Sequence, residues 1–406
     1  MFTVKTPEET FSVIEAEFRP FLPAETVSLS ECCGRILAED ILSSEYVPGF
    51  TRSTVDGYAV KASDTFGCSD SIPALLTLSG EILMGEEASV PLTPGCCFAV
   101  PTGGAVPEGA DAVVMIEYTE NYGDGMIGIE KPASPGMNMI YKGDDLVPGK
   151  TVLPAGRRIT VSDIGALASL GITRIPVRRR LLAGIISTGD ELVPVEETPE
   201  GGQIRDVNTH MLDALCREMG MDTRLYGIVN DQAELLSAVL EKAIAECDLV
   251  LISGGSSVGA RDAASAVIEK HGSILFHGIA MKPGKPTILG KAGNKPVFGL
   301  PGHPVAAFFI TKLYVRHAAA VLTGADYAVR TTPAILTEAL STNHGRSETL
   351  GVRLSEQDGK LYAAPVHTKS GLISALAGTD GYITISRDCE GLPAGAAVNV
   401  SFYSVN

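Results

Sequence analysis

The chain has 406 residues, 45% of them hydrophobic and 20% charged, and a formal net charge of −16. That length exceeds one ordinary core and predicts roughly two to four domains, and the apolar content excludes long disordered spans. The acidic balance excludes a nucleic-acid or anionic-membrane partner without a local basic patch, and Arg178-Arg179-Arg180 is too short to make one.

The N-terminal residues lack a charged and then apolar leader pattern, and no run approaches the ~18 apolar residues of a membrane span, so a cytoplasmic location is expected. Eight cysteines include the pairs Cys32-Cys33 and Cys96-Cys97 but no zinc-type or C-x-x-C spacing. They read as thiols of a reducing compartment.

In chain order, Phe11, Ile14, Phe18 and Phe21 recur at helical spacing behind Thr6-Pro7-Glu8-Glu9, which predicts a helix capped by Thr6. A second short helix is expected between Leu29 and Ala38. The stretch from Pro48 to Val60 turns into a strand at Tyr58. In it, Asp56-Gly57 reads either as turn chemistry or as a carboxylate beside the hydroxyls of Ser53 and Thr54. Short apolar runs punctuated by glycine and proline from Ile72 to about Lys131 predict a small β domain containing Thr102 in a turn. Ser162 to Leu170 reads as a helix stopped by Gly171.

Residues 181–322 alternate apolar strands with amphipathic helices. Strands are predicted at Leu181 to Ile186, Thr223 to Val229, Asp248 to Ile252 and Ser273 to Ala280. Helices are predicted on the stripes Met211, Leu212, Leu215, Cys216, Met219 and Leu235, Leu236, Val239, Leu240, Ala243, Ile244. This pattern means a mostly parallel sheet with helices on both faces, and such sheets bind ligands at the carboxyl ends of their strands. The loops at those ends hold Ser187, Thr188, Gly189, Asp190 and Glu191, then Asp231, then Ser253-Gly254-Gly255-Ser256-Ser257-Val258-Gly259-Ala260-Arg261-Asp262, then Lys282 and Lys285. The glycine loop between a buried strand and a helix suits a phosphate or other oxyanion, although such loops also serve as plain connections. Four acids beside an anion-accepting loop and two lysines match magnesium-assisted chemistry on a phosphate ester. Leu300-Pro301-Gly302-His303-Pro304 then opens a long apolar helix to Val321, and His303 is either a general base or a loop residue without a chemical role. From Pro333 the chain returns to short strands, with Asp358-Gly359 as a hairpin signal.

Ser53-Thr54-Val55-Asp56-Gly57-Tyr58-Ala59, Thr102-Gly103, Ser187 to Leu192, the 253–262 loop, Met281 to Pro286 and Leu300 to Val305 occur in that order. Together they resemble the MoeA family of molybdopterin molybdenumtransferases, related to the C-terminal domain of gephyrin, over essentially the whole chain. The resemblance implies an α/β multidomain protein: an elongated N-terminal domain with helices (1–45 and 141–178), a small β domain (46–140), a central α/β molybdopterin and nucleotide-binding domain (179–326) and a C-terminal β domain (327–406). It implies a homodimer, with the adenylylating protein of the same pathway as a further partner. It also implies insertion of molybdate into adenylylated molybdopterin with Mg2+-dependent loss of AMP. In the family the cleft joins the α/β domain of one protomer to the β domain of the other.

Carried over by position, the resemblance gives catalytic roles to Asp56, Asp190, Glu191, Asp231, Asp262, Lys282 and Lys285, with Glu191, Asp231 and Asp262 on the metal. Substrate contacts fall to Thr102, Asp145, Ser187, Thr188, Gly189, Ser253, Gly254, Gly255, Ser257, Gly259, Pro301, Gly302 and Ser370. Val55, Ser256 and His303 depart mildly from the family pattern. Ala260 stands for a frequently acidic residue and Gly351 for an arginine, with Arg261, Arg346 and Arg353 as compensating cations. Two other readings are an adenylyltransferase acting on molybdopterin and a non-catalytic scaffold of the gephyrin type.

Overall fold

The computed structural model describes residues 4–87, 90–254, 258–326, 329–342 and 345–403, the side chains of 258–262 excepted. Its contacts divide it into two compact units. One comprises Met1–Glu39, Ala155–Thr160 and Ile175–Asn406, the other Asp40–Pro154 and Val161–Arg174.

In the first unit six strands form one sheet: β1 (Leu182–Thr188), β2 (Asp222–Val229), β3 (Leu249–Gly254), β4 (Ser273–His277), β5 (Ile288–Ala292) and β6 (Lys295–Leu300). Their order across it is β2-β1-β3-β6-β5-β4. β2, β1, β3 and β6 run parallel, whereas β5 pairs antiparallel with both β6 and β4. The hairpin strands β5 and β6 lie outside the four strands that the sequence predicts, because Gly290, Lys291 and Pro296 interrupt their apolar runs. The sheet is therefore mixed: of the predicted strands, β1, β2 and β3 lie in its parallel part and β4 at its antiparallel edge.

Three helices connect these strands: α1 (Val207–Glu218), α2 (Ala233–Glu246) and α3 (Val258–His271). Period-two alternation sends neighbouring strand residues to opposite faces. Ala183, Ile185, Leu249, Leu251 and Phe298 pack with Leu212, Leu215 and Cys216 of α1. Ile186, Val250, Ile252 and Val297 pack with Leu236, Leu240 and Ala243 of α2 and with Ala264, Val267 and Ile268 of α3. Both faces are thus covered, as continuous apolar strands require.

The N-terminal helix Pro7–Glu17 starts with a reciprocal capping box: Glu9 N donates to Thr6 Oγ1 at 3.2 Å and Thr6 N to Glu9 Oε2 at 2.8 Å. Ile14 and Phe18 are buried in the same core as α1, and the Phe11 ring lies 4.9 Å from that of Tyr314. The helix expected between Leu29 and Ala38 is a single 3-10 turn, Leu29–Glu31. It is capped by Cys32, the chain then turns at Gly34 (φ +74°), and Ile36 and Leu37 bridge instead to Arg158 and Val177.

A long helical stretch, Pro304–Thr323, crosses the core as α4 (Pro304–Ile310), a π turn (Thr311–Val315) and α5 (Arg316–Thr323). With a mean hydropathy of 1.4 over its most apolar window it meets the length and composition of a membrane span, contrary to the expectation from the sequence. The structure uses it as a core helix, 67% of that window being buried. In the π turn the buried Lys312 pairs with Glu218 and donates to Tyr403 O at 2.8 Å. Burial pushes its pKa below the usual lysine range, and Glu218 offsets only part of that.

The C-terminal strands Thr331–Leu336, Ser347–Gln357, Lys360–Pro365, Gly381–Ile385 and Ala397–Phe402 form a second sheet. Asp358 (φ 51°) and Gly359 (φ 68°) turn the predicted hairpin, as a two-residue turn with both φ positive demands. Met281–Lys282 joins this sheet by parallel pairing with Ser347–Glu348, so the segment after β4 is held by the C-terminal strands.

The second unit holds a six-stranded sheet in the order Ala112–Met115, Gly57–Val60, Cys96–Val100, Ala74–Glu81, Met126–Ile129, Thr119–Gly123. The helix Val161–Ser169 belongs to the same unit, and Gly171 follows it at φ +65°.

Phe18 is 1% exposed and Leu235 is 45% exposed. Phe18→Ala is expected to cost about 3–5 kcal/mol of stability through lost burial and a cavity, whereas Leu235→Ala stays within about 0.5 kcal/mol. Chemical denaturation followed by circular dichroism checks both.

Candidate functional site

The register of β1 on β3 pairs Ser187 with Ser253 and Thr188 with Gly254. After β1 the chain crosses to β2 on one side, and β3 returns on the other, with α1 and α2 on opposite faces. That is a topological switch point, where loops diverge and leave a crevice. Gly254 has φ +143°, and a Cβ there would sit 1.9 Å from Thr188 O. Only glycine lets the two strand ends lie this close.

The predicted residues of β1 divide into two functions. Ser187, 1% exposed, donates to Asp206 Oδ1 at 3.0 Å and lies 2.7 Å from Thr209 Oγ1. Asp206 also caps α1, accepting from Thr209 N at 3.1 Å. The Ser187 hydroxyl is therefore committed to a buried network that anchors α1 to the strand end. Thr188 Oγ1 donates to Asp231 Oδ1 at 2.5 Å. Asp190 Oδ1 in turn accepts from Asn230 Nδ2 at 3.1 Å and from Asp231 N at 3.2 Å. The loops after β1 and β2 thus present two linked carboxylates at the rim. Glu191 is exposed, and its carboxylate folds back over Gly189, where a Cβ would meet Glu191 Oε2 at 2.8 Å.

Asn208, which the sequence reading passed over together with Asp206 and Thr209, joins the end of β3 to the loop after β6. Its Nδ2 donates to Ser253 Oγ and to Gly302 O, both at 2.8 Å. The signal for all three residues is Asp206 as an N-cap, legible from Asp-Val-Asn-Thr ahead of the α1 stripe.

Two cavities adjoin this rim. One of about 550 Å³ is lined by Ile252, Gly254, His277, Lys285, Pro286, Pro301, Gly302 and His303, among others. A second of about 520 Å³ is lined by Lys282, Lys285, Pro286, Pro301, His303, Arg346, Glu348, Lys369 and Ser370, among others. They share Lys285, Pro286, Pro301 and His303. Lys282 pairs with Glu348 at 2.8 Å, so its charge is partly committed, whereas no ion pair holds Lys285, Arg346 or Lys369 among the described residues. Ser370 Oγ lies 2.7 Å from His303 Nδ1, and Val305 N donates to Ser370 O at 3.1 Å, which pins the loop after β6 to the C-terminal strands.

Gly351 also lines the second cavity. A Cβ on it would meet Tyr403 Oη at 3.0 Å and Leu376 and Thr379 at 3.1 Å, so a side chain there needs these neighbours to shift by a few tenths of an ångström. Of the compensating cations, Arg346 lines the cavity, Arg353 is not among its lining residues, and the Arg261 side chain lies outside the described residues. So do Gly255, Ser256 and Ser257, and the side chains at Gly259, Ala260 and Asp262.

In the second unit, Asp56 Oδ1 accepts from Thr102 N at 2.7 Å and from Thr102 Oγ1 at 3.0 Å. The expected neighbour Ser53 instead donates its hydroxyl to Val55 O at 2.6 Å. Asp145 belongs to this unit too, its N–H donating to Val47 O at 3.0 Å.

Among the described residues no group of three or more His, Cys, Asp or Glu side chains is spaced to hold a metal ion alone. Of the predicted trio Glu191, Asp231 and Asp262, the Asp262 side chain lies outside the described residues. Asp190 and Asp231 nevertheless fit a magnesium ion, which binds through one or two carboxylates plus substrate phosphates and keeps its waters.

Residues 5–171 match the MoeA N-terminal region (domain I and II), 184–320 a probable molybdopterin binding domain, and 333–403 the MoeA C-terminal region (domain IV). A molybdopterin molybdenumtransferase of Bacillus subtilis is 33% identical over 387 residues, 93% of this chain and 89% of that one. One of Haemophilus influenzae is 34% identical over 386 residues, 94% of each chain. The crystal structure of a molybdopterin biosynthesis moeA protein from Pyrococcus horikoshii OT3 superposes with a TM-score of 0.87 at 33% identity, over 99% of this chain and 100% of that one. The three matched regions run in order along the chain, and these relatives share a third of its residues over nearly its whole length: the chain belongs to the MoeA family.

Proposed function

We propose that this chain is a transferase of molybdenum cofactor biosynthesis that inserts molybdate into adenylylated molybdopterin and releases AMP. The observation that carries the proposal is the pair of adjoining cavities. The first offers glycine backbone and an apolar wall, suited to a flat heterocycle with phosphate at the rim. The second offers Lys285, Arg346 and Lys369, suited to an oxyanion. Lys285 lines both, so one cation faces a nucleotide phosphate on one side and an oxyanion on the other. The whole-length relatives named as molybdopterin molybdenumtransferases support this reading over an adenylyltransferase or a scaffold.

Asp190 and Asp231 would hold magnesium, whose charge offsets that of the adenylyl phosphate. Thr188 and Asn230 orient these carboxylates, so their positions are set before substrate arrives. Ser187 does not contact substrate in this scheme: its hydroxyl is already used, and it keeps α1 and the strand end in register. The dithiolene sulfurs of the pterin supply the metal ligands for molybdenum, so the protein's cysteines take no part. The reading also includes a homodimer, an expectation carried by the family resemblance, and a cytoplasmic location, an expectation from the sequence pattern.

AMP release from adenylylated molybdopterin, followed with molybdate and magnesium each present or omitted, tests the proposal. Release that needs both is expected. Formation of adenylylated pterin from ATP and molybdopterin would instead identify an adenylyltransferase, and no release under any condition would favour the scaffold. Lys285→Ala removes one charge-assisted contact, worth about 1.5–3 kcal/mol, so its KM for molybdate is expected to rise about 10- to 100-fold. Asp231→Asn keeps the shape but loses the charge, and its half-maximal magnesium concentration is expected to rise about tenfold or more in the same assay.

A further inference from the structure

Asn208 is 7% exposed, and both hydrogens of its amide are engaged, while its Oδ1 has no hydrogen-bond partner among the described residues. A buried acceptor left unpaired costs stability, which offsets part of what the two donated bonds contribute. An asparagine here is thus poorly explained by stability alone. Its two acceptors give a better account. β3 and β6 are paired as far as Ser253 and Leu300, and just beyond that pair the chains part. Asn208 reaches from α1 to Ser253 Oγ on one side of the parting and to Gly302 O on the other. Gly254 and Gly302, next to or at these anchor points, both line the cavity of about 550 Å³.

We propose that Asn208 is a positioning residue for substrate: its amide ties the end of β3 at Ser253 to the loop after β6 at Gly302 and so sets the width of the cavity between Gly254 and Gly302. This rests on the functional reading above, in which that cavity takes the nucleotide end of adenylylated molybdopterin. The cross-tie acts on binding rather than on the reacting atoms, because neither tethered group is among the acids or lysines assigned to the chemistry. Loss of the tie therefore moves KM and leaves kcat nearly unchanged.

Two variants of the full chain separate this role from a structural one. Asn208→Leu removes both donors and the unpaired acceptor at similar volume, and Asn208→Asp keeps the shape but cannot donate to Gly302 O. For both, AMP affinity by calorimetry is expected to fall and KM for adenylylated molybdopterin to rise by about tenfold, with kcat within about threefold. The thermal midpoint of Asn208→Leu is expected to fall by only a few degrees, because loss of the unpaired Oδ1 offsets part of the cost of leaving Ser253 Oγ and Gly302 O without this donor. Unchanged AMP affinity in either folded variant overturns the inference, as does a collapse of the thermal midpoint in both. If the unsubstituted chain neither binds AMP nor releases it, the functional reading itself falls and takes this inference with it. A working chain with indifferent variants overturns the inference alone.

Discussion

The close parallel packing of β1 against β3 at Thr188 and Gly254 is the constraint on which the rest of the site depends. A side chain at Gly254 would collide with the Thr188 carbonyl, so the strand ends meet only because glycine is there. Both faces of this sheet are buried under helices, which leaves the strand ends as the place where polar groups can gather without desolvation cost. Everything chemically distinctive in the unit follows from that. Ser187 and Thr188 end β1, Asp231 follows β2, Ser253 and Gly254 end β3, and Pro301 and Gly302 follow β6.

Charge is segregated along this edge by strand order. The carboxylates of Asp190 and Asp231 come from the loops of β1 and β2, at one side of the sheet. The cations Lys285, Arg346 and Lys369 gather beyond β6, where the C-terminal strands add their own loops. Strands lie about 4.8 Å apart, so β3 and β6 stand as a spacer between an acidic and a basic end. An elongated anion laid along that edge would meet carboxylates at one end and cations at the other.

The supports of the site come from far away in sequence. The parallel bridge of Met281–Lys282 to Ser347–Glu348, the contact of His303 with Ser370 and the reach of Lys312 to Tyr403 O all tie the C-terminal strands to the central domain. At the other end of the chain, Phe11, Ile14 and Phe18 seat the N-terminal helix against the core helix and α1. Substitutions in these flanking segments therefore reach the site through packing rather than through contact with substrate.

The sequence by itself determined the strands β1 to β4 with the helices α1 and α2 between them, the capping box at Thr6 and the hairpin at Asp358-Gly359, but not the β5–β6 hairpin. Each of these is a local matter of periodicity or backbone dihedral preference, written in residues a few positions apart. It also marked Asp190, Asp231, Lys282 and Lys285, because polar residues just past buried strands must emerge at one edge. It did not distinguish the committed Ser187 from the rim-facing Thr188, since that depends on Asp206 and Thr209 about twenty residues on. Nor did it find Asn208, whose partners lie 45 and 94 residues away. The tight surroundings of Gly351 are likewise a matter of packing against Leu376, Thr379 and Tyr403. Hydrogen bonds and volumes between distant segments exist only once the chain has folded, so only the tertiary structure decided which of the marked residues are free to meet a ligand.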